Sequence, residues 1–138
     1  EVLKYNTGIC HAKANLLSAL LRSQGIPAGF CYQYLTLLED ASRGYCLHAF
    51  NAAFICGRWI FLDARGNKEG VRAEFSLGAP ALAFENRAEY GEHFYEGIYA
   101  APDIPTMGML RRAGSLEEVL NNLPDRPARA PDLRISIR

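Results

Sequence analysis

Two apolar runs set two residues apart constrain this chain more than any other feature. They are residues 45–55 and 58–64, on either side of Cys56-Gly57. The first run is apolar on both faces, as a central strand is. A two-residue turn containing glycine joins such runs into an antiparallel hairpin. With Cys56 and Gly57 as the loop, Phe54 faces Trp59, Ala52 faces Phe61 and Phe50 faces Asp63. His48 then shares a face with Asp63 as its diagonal neighbour, about 7–8 Å away at the backbone and within reach of converging side chains. One residue more or fewer in the turn sends Asp63 to the opposite face.

Upstream, Gly8-Ile9-Cys10 opens a helical run over residues 9–24. Ala12, Leu16, Ala19 and Leu20, flanked by Leu17 and Leu21, form the expected apolar stripe, with Lys13, Asn15, Ser18 and Arg22 facing away. Asn6, Thr7 and Gly8 supply capping and turn chemistry, Gly25 caps the far end, and Pro27 prevents continuation. Cys10 thus falls in the first turn, where unpaired N–H groups and the positive end of the helix dipole favour a thiolate.

The aromatic and branched run 28–38 predicts a strand, followed by a polar loop at 39–44. Past Asp63 comes a polar turn over residues 65–68, then weak periodicity over 71–114. Within it, residues 81–84 read as a further strand and residues 87–96 as a short helix. Ser115 caps a final helix to Leu123, ended by Pro124, and residues 124–138 are expected extended or frayed.

At 138 residues the chain is expected to form a single domain, 1–138, with a core over about 5–85 and a C-terminal arm over about 86–138. Fifteen basic and 15 acidic residues cancel. That balance gives no reason to expect nucleic acid or a membrane as partner. Apolar runs are too short to span a bilayer, and no signal peptide is read. Four cysteines, Cys10, Cys31, Cys46 and Cys56, do not make a disulfide framework, and the last three sit in apolar sequence. The expected setting is a reducing cytoplasm.

A cysteine, a histidine and an acid in that order point to nucleophilic thiol catalysis by Cys10, His48 and Asp63. Taken singly, a first-turn cysteine, a strand histidine and a strand-end aspartate are more often structural. His11 is a poor base for Cys10, because adjacent helix positions diverge by about 100°. Cys46 shares the face of His48, where core packing is the favoured role over a place in the pocket. Tyr32, Gln33 and Tyr34 are open between assisting an oxyanion, lining a cleft and ordinary packing. A zinc site from Cys10, Cys46, His48 and Cys56 lacks the spacing of fingers or ribbons, so no metal and no cofactor are expected.

Gly8-x-Cys10, the helix end Leu20-Leu21-Arg22-Ser23-Gln24-Gly25-Ile26-Pro27-Ala28, then His48-Ala49-Phe50 and Trp59-Ile60-Phe61-Leu62-Asp63 together resemble the transglutaminase-like superfamily. The tail resembles those of its bacterial members. The resemblance implies an α+β fold in which the cysteine-bearing N-terminal helix packs on an antiparallel sheet, with a papain-like triad. It makes Cys10 the nucleophile, His48 the base and acid, and Asp63 the orienter of the imidazole. Two positions depart from the family: Phe50 stands where tryptophan is usual, and Ala64-Arg65 stands where Pro-Thr often follows the aspartate. The family's side-chain oxyanion donor lies upstream of the cysteine. The implied function is thiol-dependent acyl transfer or amide hydrolysis on a peptide or protein amide, hydrolysis ahead of cross-linking. The alternative is a non-catalytic scaffold that binds a peptide or protein partner.

Overall fold

Cys56 and Gly57 both take positive φ, 51° and 77°, the requirement of a two-residue turn whose twist matches that of its flanking strands. The turn fixes the pairing of β2 (Tyr45–Ile55) with β3 (Arg58–Leu62), in which Phe54 faces Trp59 and Ala52 faces Phe61. This is the expected register. The computed structural model describes residues 2–39, 41–67 and 69–137; Asp40 of the expected loop and Lys68 of the expected turn lie outside the described residues.

β1 (Ala28–Thr36) pairs antiparallel with β2 on one side and with β4 (His93–Tyr99) on the other, giving the sheet order β3-β2-β1-β4. A bulge between Phe30 and Tyr32 shifts the β1–β4 register. Gly97 sits opposite that irregularity at φ 99°, and a Cβ there would lie 2.5 Å from Pro131 of the tail. Only glycine fits such a crossing.

Both faces of the sheet are covered, which explains the double apolarity of β2. On one face α2 (Cys10–Ser23) sets Ala14 against Phe30, Tyr32, Leu47 and Ala49, and Leu17 and Leu21 against Ala53, Ile60 and Leu62. On the other face Cys31, Phe50, Ala52, Phe61 and Ile98 lie under Leu82, Phe94, Ile135 and Ile137. The result is the expected α+β architecture of an N-terminal helix on an antiparallel sheet. Among the described residues, no helix is long and apolar enough to cross a membrane.

The buried face of α2 is not the expected one. His11, Ala14 and Ser18 point into the sheet, while Leu20 is 51% exposed. Small residues let the helix approach closely enough for the buried Asn51 amide to donate to Ala14 O at 3.0 Å and to Gly29 O at 3.1 Å. Leu16 and Leu20 instead line a crevice of about 300 Å³ with Val2, Leu3 and Lys13, which Leu17 also reaches. Part of that crevice comes from a short helix, α1 (Val2–Tyr5), in what was expected to be a plain lead-in. The α2 N-cap is Ile9, with no side-chain cap. Its far end follows expectation: Gly25 at φ 74° closes it, with Gly25 N–H donating to Arg22 O and Ile26 N–H to Leu21 O.

Three further expectations are corrected. Residues 87–96 form a single 3₁₀ turn (Ala88–Tyr90) and then β4, because the sheet edge of β1 satisfies their backbone groups better than an isolated helix would. Residues 81–84 are irregular rather than a strand. Residues 71–114 also hold α3 (Ile104–Arg112), capped by buried Asp103, which accepts from Thr106 N–H at 3.1 Å. The final helix, α4 (Leu116–Asn122), starts at Ser115, which accepts from Glu118 N–H as expected. The tail runs back along β4, with Leu133 N–H donating to Ile98 O and Gly97 N–H to Ile135 O.

Candidate active site

The site arises from a mismatch in strand length. The β2–β3 ladder ends at Asn51 and Leu62, while β2 begins six residues earlier, at Tyr45. The start of α2 sits against this overhang. His11 Nε2 donates to Leu47 O at 2.8 Å, while Leu47 N–H donates to Pro124 O at 2.7 Å. Backbone N–H groups of Ala49 and His11 lie beside the Cys10 sulfur and favour its thiolate form. An uncapped helix start leaves such N–H groups free for an anion.

His48 lies on β2 beside this seat, and Asp63 follows the last residue of β3. His48 Nε2 is 2.8 Å from Asp63 Oδ2, and the two side chains are 5% and 1% exposed. The carboxylate is held from two further directions, accepting at Oδ1 from Arg65 N–H (2.9 Å) and at Oδ2 from Ala83 N–H (3.1 Å). With Nε2 turned to Asp63, Nδ1 is the nitrogen left for the Cys10 thiol, which is hydrogen-bonded to His48. The structure therefore brings Cys10, His48 and Asp63 into one chain of contacts.

Charge at these groups follows from that chain. Burial pushes the Cys10 thiol up, but the adjacent imidazole and the Ala49 and His11 N–H groups outweigh it and hold the thiol below its ordinary 9.0. Burial pulls His48 down, yet Cys10 and Asp63 on either side raise it to about 9. Asp63 is pushed up by burial and carried below its ordinary range by the His48 bond and two backbone donors. Together these shifts favour a thiolate–imidazolium pair over two neutral groups.

The other cysteines differ. Burial, with Cys10 and Glu92 nearby, pushes Cys46 to about 11, and burial alone raises the fully enclosed Cys31. Cys56 is exposed on the hairpin turn, not in the apolar setting expected, because a turn tip projects into solvent. Among the described residues no three His, Cys, Asp or Glu side chains group as metal ligands do. His11 faces away from the thiol and docks the helix; its burial lowers it to about 4. Tyr32 accepts from Asp103 N–H at 2.7 Å, and Tyr34 stacks on Tyr45. Gln33 is wholly buried, bonded to the segment that carries Ala83. That segment is the part of the site that sequence reasoning missed. Phe84 stands edge-on to the His48 ring at 5.0 Å, and the one signal for it was a lone inward-facing amide in an apolar strand.

The family model of the transglutaminase-like superfamily matches residues 1–64. Residues 1–64 are transglutaminase-like. The matched span takes in Cys10, His48 and Asp63, and the helix-on-sheet core agrees with it. No curated protein and no solved structure matches the chain. The matched span ends just past the hairpin, so Ala83 and Phe84 meet Asp63 and His48 from outside the matched region.

Proposed function

We propose that this chain is a thiol-dependent enzyme acting on the amide carbonyl of a peptide or protein, with Cys10 as nucleophile, His48 as base and acid, and Asp63 as orienter. The observation that carries this reading is the continuous contact from the Cys10 thiol through the His48 ring to Asp63, whose last link is 2.8 Å. The match of residues 1–64 to the transglutaminase-like superfamily, which is often thiol-dependent, supports it.

In the proposed sequence the Cys10 thiolate attacks the carbonyl carbon. The backbone N–H of Cys10, in a first turn with no carbonyl four residues back, donates to the developing oxyanion. Imidazolium His48 protonates the departing amine as the tetrahedral centre collapses to a thioester. It then takes a proton from the acceptor, which attacks the thioester; collapse expels the Cys10 thiolate and restores the thiolate–imidazolium pair. Water as acceptor gives hydrolysis, our preferred outcome, and an amine gives transfer. Asp63 holds Nε2 so that Nδ1 remains the nitrogen that serves the sulfur, the departing amine and the acceptor in turn.

Alkylation by iodoacetamide between about pH 5 and 9, with mass mapping of each cysteine, tests the reading. Exposed Cys56 serves as the internal reference for labelling. Rapid labelling of Cys10 below pH 7, slowed by His48→Ala, is expected. Cys10 reacting no faster than Cys56 would leave a scaffold that binds partners without thiol chemistry.

A further inference from the structure

Gln33 is 0% exposed and stands directly opposite His48 in the β1–β2 ladder. Its Nε2 donates to Phe84 O at 3.2 Å and to Asn86 Oδ1 at 2.7 Å, while its Oε1 has no partner among the described residues. An unpaired buried acceptor destabilises a fold, so leucine would serve better here if packing were all that was required.

The segment Gln33 grips is the one that touches the triad. Ala83 N–H donates to Asp63 Oδ2, and the Phe84 ring meets the His48 ring edge-on at 5.0 Å and 85°. The Arg65 guanidinium, 5.1 Å from the Phe84 ring, belongs to the residue whose N–H donates to Asp63 Oδ1. The segment is irregular and belongs to no strand. On its outer side Phe84 and Asn86 line a cavity of about 500 Å³ with Leu82, Phe94 and Ile137. Open space there supplies little packing to hold the segment down, so its inward hydrogen bonds carry that work.

We propose that Gln33 is a positioning residue for the His48–Asp63 pair: by pinning residues 83–86 it keeps the Asp63 carboxylate aimed at Nε2 and the Phe84 ring against the imidazole. The inference rests on the thiol chemistry proposed above. Its consequence is that Nδ1 stays directed at the Cys10 sulfur although Gln33 touches no reacting atom. Among the described residues, the titratable groups that act on His48 are Cys10 and His11 on α2 and Asp63 after β3. Neither variant below alters them.

Two full-chain variants test this. Gln33→Leu removes both half-buried bonds together with the orphaned oxygen and keeps the packing, so loss and relief offset and its unfolding midpoint should stay close to the parent's. Asn86→Ala removes the shorter of the two bonds from a half-buried position. In both, exchange of the Ala83 amide hydrogen should accelerate about tenfold, as expected when a local opening becomes easier. The acid limb of Cys10 alkylation should move up by about half a pH unit, a threefold loss of rate near pH 6. Turnover should fall in kcat with KM unchanged. Unchanged exchange and an unchanged alkylation profile in both variants would overturn the proposal. So would an acid limb that moves down, which would mean that the freed carboxylate pairs better with the ring. A parent protein whose Cys10 is never activated refutes the thiol chemistry itself, and this inference with it.

Discussion

His48 Nε2 and Asp63 Oδ2 lie 2.8 Å apart although they stand on different strands, with both side chains almost excluded from water. Asp63 has two other donors, the N–H groups of Arg65 and Ala83, so its oxygens are fixed before any ligand arrives. A carboxylate anchored this way holds one ring nitrogen and leaves the other for the thiol.

The pH profile follows from those contacts. Cys10 loses its proton below its ordinary 9.0, and His48 keeps its own up to about 9. The thiolate–imidazolium pair exists between these limits. On the proposed chemistry, kcat/KM should rise from acid pH through the Cys10 transition and fall as pH passes about 9. In His48→Ala the plateau should vanish, and Cys10 alkylation should shift to higher pH than in the parent, because burial then acts on the thiol without the imidazole to offset it. Cys10→Ala should lose all turnover, while its urea midpoint stays close to the parent's.

His11 gives a separate, stability-based test. Burial holds it at about 4, against an ordinary 6.5, so the neutral ring is the folded form. A group depressed in this way contributes stability that is complete above about pH 6.5 and lost as pH falls toward about 4. The loss is on the order of 3 kcal/mol over that window. Glu92, held at about 2 against burial by Arg87 and Thr36, acts only below its ordinary 4.5. Urea unfolding of the parent and of His11→Gln across pH 4 to 7 checks it: the difference between the two curves should shrink as pH falls.

Leu20 and Leu47 should behave oppositely. Leu47 is 1% exposed against the helix, and Leu47→Ala should cost about 2–5 kcal/mol. Leu20 is 51% exposed, so Leu20→Ala should stay within about 1 kcal/mol of the parent. Denaturant melts of both variants decide it, and a large Leu20 effect would place the helix in the register its leucines suggested.

Asn51 ties α2 to the sheet through Ala14 O and Gly29 O. Asn51→Leu should cost about 1–3 kcal/mol, because two buried carbonyls each lose a donor. Cys10 reactivity at pH 6 should fall with it, since the same helix carries the thiol. Asn51→Ala should add a cavity cost and lie lower still in an equilibrium melt.

Local chemistry was legible at the hairpin turn and at two helix ends. Cys56-Gly57 specified the hairpin and therefore the face shared by His48 and Asp63, because a two-residue turn admits one register. Gly25 and Ser115 marked helix ends for equally local reasons. The buried face of α2 was not legible: its leucines form the stronger hydrophobic stripe, yet close approach to the sheet selected His11, Ala14 and Ser18. Residues 87–96 carry polar and aromatic residues that read as a helix until β1 offers them an edge.

What the sequence determined by itself is therefore each piece near its own chain neighbours: a thiol at a helix start, a histidine and an acid on one side of a hairpin. Tertiary structure alone decided that the thiol meets the histidine. β2 outruns β3, and the overhang receives the start of α2 through Leu47 and Ala49. No local preference encodes that meeting, because it depends on how far one strand extends past another and on how closely a small-residue helix face can settle against it.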